Sequence, residues 1–184
     1  MESESVQGVG GGAPYVRSRA ERDLGACVEV LARVHEDSGY PVNWPERPAD
    51  WLAQPGALGA WVAELDGRII GHVVLCRAGA GDVAPGLWSA RAGRGADATA
   101  VVGRLFVAPS ARGRGAGASL MARAVAHARA HGLHPVLDVA ATDTAAVALY
   151  ERLGWRSLGT VPQRWGEQEV AVRCFAAGGD APLG

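Results

Sequence analysis

A glycine-rich stretch past the middle of the chain combines the residue types best suited to holding an anion. It reads Arg112, Gly113, Arg114, Gly115, Ala116, Gly117 and Ala118. Glycines let backbone N–H groups approach a ligand closely, and a following helix adds unpaired N–H donors and a positive dipole end. One guanidinium group can bind two phosphate oxygens at once through two parallel hydrogen bonds. The stretch predicts a diphosphate-binding turn, and a tight turn with two solvated arginines is the simpler alternative.

The same glycines also satisfy the dinucleotide-binding fingerprint. Gly113-x-Gly115-x-x-Ala118 matches the pattern, and Asp138 follows at the distance expected of a ribose-binding carboxylate. However, five residues separate the preceding strand, which ends at Val107, from Gly113, whereas the fingerprint should follow its strand almost directly. The chain after Asp138 is also too short for the rest of a doubly wound sheet. This interpretation is therefore disfavoured.

The elements that must position this turn follow from hydrophobic periodicity. Predicted strands cover 15–19, 61–65, 69–76, 101–107, 136–140, 155–161 and 168–175, and predicted helices cover 24–34, the stretch from the glycine turn to Gly132, and the stretch from Asp143 to Leu153. Asp66-Gly67 predicts a hairpin turn. The segment 39–55 is expected to be irregular, with room for a second short helix, and Gly79–Ala98 is expected to be a long loop. The order predicts a mixed α/β (α+β) sheet.

Composition limits the function classes. The chain has 184 residues, a formal net charge of −1 and no lysine, which excludes Schiff-base enzymes and Walker-type phosphate loops. The charge disfavours a nucleic-acid partner. Three scattered cysteines predict neither a disulfide framework nor a zinc site. We see no signal peptide and no membrane-spanning run, so a cytoplasmic protein is expected.

The domain organisation is expected to be simple. A flexible leader at 1–13 ends in three glycines, one domain covers 14–176, and a frayed tail covers 177–184.

Two stretches resemble the GNAT superfamily of N-acetyltransferases. Arg112–Gly117 fits the family's acetyl-CoA loop pattern Arg/Gln-x-x-Gly-x-Gly/Ala after the fourth strand, and Leu105–Pro109 before it is also typical. Ala146–Trp155 is similar to the signature A-x-x-L-Y-E-x-x-G-F/W. Both stand in the right order with one strand between them. The resemblance implies a single-domain GNAT-like fold in which central strands four and five splay apart.

The resemblance implies acetyl-CoA as the acyl-donor substrate, bound in that splay. The pantetheine arm would pair with strand four at Leu105, Phe106 and Val107. The pyrophosphate would lie on the N–H groups of Gly113–Ala118, flanked by the two arginines of the turn. Asp143 stands where many relatives carry an asparagine that bonds the cofactor. An ionised carboxylate accepts but cannot donate, and capping the next helix explains Asp143 equally well.

The implied reaction is direct attack of an amine on the thioester. A backbone N–H of Phe106 or Val107 would stabilise the oxyanion, and Tyr150 occupies the position of the acid that protonates the departing thiolate. A buried, purely structural tyrosine is the alternative. Many relatives place a glutamate base on strand four, but 99–107 holds no carboxylate. The base is left open among His72, Glu64, Asp97, Asp138, a water chain and a neutral amine.

The acceptor is expected to be an amine of a small molecule or peptide. Aromatic side chains predict its binding site: Tyr40, Trp44, Trp51 and Trp88. Pinning of the proline-rich loop to the core is the alternative for these residues. A homodimer is compatible with the resemblance, with the last hairpin supplying an edge. A non-catalytic acyl-CoA sensor is the rival function, because strand four lacks the carboxylate.

Overall fold

The computed structural model describes residues 12–179, and almost all of the expected leader and part of the expected tail lie outside them. Seven strands, five α-helices and three short 3-10 helices make up the regular structure of the described chain. The strands are β1 (Tyr15–Ser18), β2 (Gly59–Leu65), β3 (Arg68–Arg77), β4 (Thr99–Val107), β5 (His134–Ala140), β6 (Arg156–Trp165) and β7 (Gln168–Ala176). The helices are α1 (Leu24–Ser38), α2 (Pro48–Ala53), α3 (Ala84–Ala92), α4 (Ala116–Ala130) and α5 (Thr144–Arg152).

The strands form one mixed sheet, so the predicted fold class is confirmed. Its order is β1-β2-β3-β4-β5-β7-β6, with β4 and β5 parallel and the other neighbours antiparallel. A parallel pair needs a crossover, and α4 provides it between β4 and β5. The turn at 112–118 therefore lies where β4 passes into the start of α4.

The hairpin between β2 and β3 has the predicted turn. Asp66 and Gly67 both have left-handed backbone angles, with φ of 50° and 74°, and Leu65 pairs with Arg68. Two successive left-handed residues characterise the turn that matches the twist of a two-residue hairpin.

The expectation of a long loop at Gly79–Ala98 is wrong, because α3 lies inside it. Its sequence is rich in small residues and has little helical periodicity. Tertiary contacts support the helix instead: Asp138 of β5 accepts hydrogen bonds from the N–H groups of Val83 (3.0 Å) and Ala84 (2.9 Å). This carboxylate satisfies the unpaired donors at the start of the helix, and sequence periodicity carries no sign of such a cap.

The core lies on both faces of the sheet. On β5, Leu137 and Val139 belong to the main cluster with α4, whereas Val136 belongs to a second cluster with α3. Neighbouring strand residues point to opposite faces, so α3 and α4 cover opposite faces at β5. The buried side of α4 carries Leu120, Met121, Ala124 and Ala128, as its periodicity predicts.

The central strands separate as expected. β4 pairs with β5 only from Thr99 to Val101, against His134–Val136. Beyond that point β4 continues to pair with β3 on its other side, up to Val107. The side of β4 that faces β5 is therefore open from Val102 onwards.

A β-bulge interrupts β4 within this open part. Val74 of β3 faces Gly103 and His72 faces Phe106, so one residue of β3 lies opposite two residues of β4, Arg104 and Leu105. Arg104 has a left-handed φ of 51°. A glycine inside a strand, here Gly103, often indicates a bulge. The bulge lies one residue further along, at Arg104, for which a left-handed angle is unfavourable.

Candidate functional site

Two cavities adjoin at the gap between β4 and β5. The first, here called the turn cavity, has a volume of about 580 Å³ and lies beside the 112–118 turn. The second, the bulge cavity, has a volume of about 490 Å³ and lies beside the β4 bulge. Four residues line both: Tyr40, Leu105, Asp143 and Ala146. Ligands in the two cavities would meet at these residues.

The turn leaves its main-chain donors free. Gly113 and Gly115 have left-handed φ values of 76° and 83°, and a Cβ atom at either position would meet no protein atom within 4 Å. Along 12–179, none of the N–H groups from Gly113 to Ala118 donates a hydrogen bond, and the first amide of this region that does is Ser119, to Gly115 O (3.0 Å). Six free donors at a helix start favour an anion.

The cations near the turn differ from the expected pair. Arg112 lines the turn cavity and forms an ion pair with Asp37 of α1 (2.7 Å). Arg114 is exposed and does not line the cavity. Arg152 of α5 lines it instead. The sequence motif did not single out Arg152, because its place beside the turn depends on how α5 packs against α4.

Most residues expected to hold the acyl donor line the turn cavity. They are Leu105, Phe106, Val107, Arg112, Gly113, Gly115, Ala116, Gly117, Ala118 and Asp143. On β4, Ala108 N–H donates to Ile70 O on the β3 side (2.7 Å). Consecutive N–H groups of a strand point in opposite directions, so Val107 N–H points into the gap. Phe106 N–H then points towards β3.

Tyr150 combines a packed ring with access to the site. It is 7% exposed, and its ring lies 6.1 Å from that of Trp155 and 5.9 Å from that of Phe175 between centroids. It also lines the bulge cavity. Burial raises the pKa of Tyr150 above its ordinary value, so the hydroxyl keeps its proton at neutral pH. The ring is structural, and the protonated hydroxyl is suited to donate.

Asp143 caps α5 as expected. Its carboxylate accepts a hydrogen bond from Ala146 N–H (3.1 Å). Because Asp143 also lines both cavities, the cap places a negative charge at their junction.

Three of the open candidates for a base have other roles. His72 is fully buried, its Nε2 accepts from Arg19 (2.8 Å), and its Nδ1–H donates to Arg104 O (2.9 Å). Burial lowers the pKa of His72 to about 4. Glu64 forms an ion pair with Arg17 (2.9 Å), and Asp138 caps α3 while lining the bulge cavity. Asp97 lines neither cavity.

The aromatic residues expected around the acceptor divide into two groups. Tyr40 and Trp51 line the bulge cavity, with ring centroids 6.5 Å apart. Trp44 is 41% exposed and packs against His35 (5.2 Å between centroids) outside both cavities. Trp88 is buried in α3, within the second core cluster, because the segment expected to be a loop is a helix. Neither Trp44 nor Trp88 therefore lines the turn cavity or the bulge cavity.

Arg104, which no sequence motif singled out, places a half-buried positive charge in the bulge cavity. Arg104 lies with its guanidinium carbon 4.3 Å from the centroid of the Trp51 ring, and its Nη1 donates to Gln54 Oε1. Burial lowers the pKa of Arg104 below its ordinary value. Strict alternation would send this side chain to the opposite face from Gly103. The bulge re-aims it, and a lone glycine in a strand was the only signal for that bulge.

The cysteines do not have the properties of nucleophiles. Burial raises the pKa of Cys27 to about 11 and that of Cys174 to about 12, and it also raises the pKa of Cys76. Within residues 12–179, no cluster of three or more His, Cys, Asp or Glu side chains is arranged to hold a metal ion. No helix of this part of the chain combines the length and apolar character needed to cross a membrane.

Comparisons with known proteins agree with this arrangement. A family model described as the acetyltransferase (GNAT) family matches residues 27–155. No curated protein sequence matches significantly.

Solved structures show the same fold at low sequence identity. They include yncA from Salmonella typhimurium, described with its cofactor acetyl-CoA (TM-score 0.65, 18% identity, 90% of this chain and 93% of that one). A ribosomal-protein-alanine N-acetyltransferase from Brucella melitensis has a TM-score of 0.65 and 20% identity, covering 88% of this chain and 98% of that one. A GCN5-related N-acetyltransferase from Kribbella flavida has a TM-score of 0.64 and 24% identity, covering 89% and 96%.

Proposed function

This chain belongs to the GNAT family of acetyltransferases, and we propose that it transfers an acetyl group from acetyl-CoA to an amine by direct attack. The observation that carries the proposal is the set of six unpaired amides at Gly113–Ala118 beside the open edge of β4. Such amides, at the positive end of a helix dipole, stabilise a diphosphate. The open strand edge offers N–H and C=O groups to the amide-containing arm of CoA.

The donor would be held mainly by main-chain groups. The pyrophosphate would accept from the turn amides, with Arg112 and Arg152 at the wall of the turn cavity. Arg112 would share its charge between the ligand and Asp37. The pantetheine arm would run along Leu105–Val107 and bring the thioester to the junction of the two cavities.

The chain's own groups account for the chemical step. The acceptor nitrogen attacks the thioester carbonyl carbon from the bulge cavity, and Val107 N–H donates to the oxygen that becomes negative. The carbon–sulfur bond then breaks, and Tyr150 donates its proton to the departing thiolate. The proton lost by the acceptor nitrogen passes to solvent or to a carboxylate of the cavity.

The acceptor would be a small molecule or a peptide end that fits the bulge cavity. Its volume of about 490 Å³ lies within the range of small-ligand sites. Tyr40 and Trp51 supply its apolar walls. The Brucella structure, named for acetylation of a ribosomal-protein alanine, belongs to the peptide class of acceptors. Both classes therefore belong in the test.

A non-catalytic acyl-CoA sensor remains the second candidate, on one specific observation. β4 carries no carboxylate, and His72, which lies on β3 opposite Phe106, uses both ring nitrogens in structural hydrogen bonds. A protein of this kind would bind acyl-CoA without releasing CoA.

Two measurements on the purified protein test the proposal. Calorimetry with CoA should give a saturable binding heat, and its absence would refute the donor site. Thiol release from acetyl-CoA should then accelerate with at least one amine in a panel of amino acids, polyamines, aromatic amines and short peptides. Binding of CoA without release for any amine would favour the sensor.

A further inference from the structure

We propose that Arg104 binds a carboxylate of the acceptor, and that the acceptor is therefore an amine that also carries a carboxylate group. The inference rests on the proposed acetyl transfer and narrows the acceptor class. Its basis is an arginine without an ionic partner, fixed in the cavity from which the acceptor would attack.

The backbone is distorted at the residue that supplies this charge. The β4 bulge opposes Arg104 and Leu105 to a single residue of β3, and the left-handed φ of Arg104 is 51°. A left-handed angle is unfavourable for arginine, and such distortions cluster where side chains are re-aimed at functional sites. The bulge brings the guanidinium to the face of the sheet that the bulge cavity occupies.

The guanidinium is held in place but not neutralised. It lies over Trp51 (4.3 Å) and donates to the uncharged amide of Gln54. Its Nε is buried without a hydrogen-bond partner, and no ion pair of residues 12–179 includes it. A half-buried cation with an unpaired donor is unfavourable. Among residues 12–179, Nη2 forms no hydrogen bond and, unlike Nε, is not buried. A carboxylate in the cavity would contact Nη2 and offset the charge of the planar guanidinium group.

The acidic side chains of the bulge cavity are already bonded to main-chain amides. Asp138 accepts from the start of α3 (3.0 and 2.9 Å), Asp82 accepts from Gly79 N–H (2.7 Å), and Asp143 accepts from Ala146 N–H (3.1 Å). Among residues 12–179, none of them forms an ion pair with Arg104. The charge of Asp82 acts on Arg104 through space, and all three line the same cavity. The cavity thus offers two cations, the half-buried Arg104 and the exposed Arg77, together with the three carboxylates. This combination complements a ligand with an ammonium and a carboxylate group.

Arg104 is also next to the junction of the two cavities, where the thioester would lie. Leu105, which follows it in the chain, lines both cavities. A carboxylate held by Arg104 would leave an amine on the same small molecule near the junction. A peptide N-terminus, whose carboxylate is remote, would not gain from this contact.

The test compares each amino acid with its carboxamide. Because the amine of the carboxamide is less basic, kcat/KM is expressed per concentration of neutral amine, which leaves the carboxylate as the difference under test. CoA release is measured with the common amino acids and with their carboxamides, using the wild-type protein. We expect kcat/KM to be about 10- to 100-fold higher for the acids, as expected for the loss of one charge-assisted contact. The comparison does not depend on any variant folding.

Variants then assign the preference to Arg104. Arg104→Gln should raise KM for the acids and leave the amides almost unchanged, and Arg104→Lys should restore part of the preference by returning the charge. Arg47→Gln is the matched control, because it removes a charge next to α2 whose side chain is 81% exposed and lines neither cavity. If the role of Arg104 were purely structural, Arg104→Gln would lower kcat/KM for the acids and for the amides by the same factor.

Failure of this inference is distinguishable from failure of acetyl transfer. If amides, polyamines or peptides are used as well as the amino acids or better, the carboxylate site is refuted while the enzyme stands. If no amine releases CoA, the transferase proposal fails. Calorimetry of amino acids with CoA-loaded protein then decides: heat that Arg104→Gln abolishes supports the site, and absence of heat refutes it.

Discussion

Replacing Gly115 by alanine tests whether this glycine is needed for the fold of the turn or for binding of the diphosphate. Gly115 is the N-cap residue of α4, has a φ of 83°, and lines the turn cavity. A Cβ atom there would meet no protein atom within 4 Å. The protein can therefore accommodate the methyl group sterically, and the space it takes is the space proposed for the diphosphate.

The expected change in stability is small. A left-handed alanine costs about 1–2 kcal/mol, and the lower entropy of the unfolded chain offsets about 0.4–1 kcal/mol of this. The net loss of about 1 kcal/mol corresponds to a Tm lower by about 2–4 °C for a domain of this size.

The expected change in CoA binding is larger. A methyl group among the free amides keeps the diphosphate from approaching them, so we expect Kd for CoA to rise at least about tenfold, or about 1.4 kcal/mol. Calorimetry with CoA and a thermal melt of the same preparation measure both quantities.

Gly132→Ala is the matched control at the other end of α4. Gly132 has a φ of 70°, and a Cβ atom there would also meet nothing within 4 Å, but it lines neither cavity. It should lose similar stability and bind CoA normally. Equal Kd values for the two variants would refute the assignment of the diphosphate to this turn.

Three further changes test individual side chains. Tyr150→Phe should lower kcat about 100-fold with KM for acetyl-CoA nearly unchanged, and an unaltered kcat in steady-state assays would remove Tyr150 from the mechanism. Asp143→Ala should lower the free energy of unfolding by about 1 kcal/mol in urea, whereas Asp143→Asn, which can still cap α5, should lose clearly less; equal losses would contradict the cap. The folded pKa of His72 is about 4, below its unfolded value of about 6.5. The unfolded state therefore binds the proton first as pH falls, and His72 should cost up to about 3 kcal/mol of stability between pH 6.5 and 4. His72→Gln should flatten urea-measured stability over that range, and an unchanged pH dependence would contradict the burial argument.

Local chemistry explains why part of the fold and of the site could be predicted. Asp66-Gly67 predicts its hairpin because its two residues tolerate left-handed angles. The apolar periodicity of α4 and the glycines before it are properties of a short stretch of chain. The motif at 112–118 could be recognised for the same reason, since main-chain donors of one turn form most of it.

The elements that were missed depend on distant partners. α3 forms in a segment of small residues because Asp138, on another strand, satisfies its first N–H groups. Trp88 follows that helix into the core, and Arg152 reaches the turn cavity through the packing of α5.

The amino-acid sequence by itself determined most of the strands and helices, the glycine-rich turn at 112–118 and the helix that carries Tyr150, because each is encoded in contiguous residues. Only the tertiary structure decided that the positive charge of Arg104 faces the bulge cavity. Arg104 lines the bulge cavity because β4 has one residue more than β3 where the two strands pair. The register of two strands depends on both of them together and cannot be read from either strand alone.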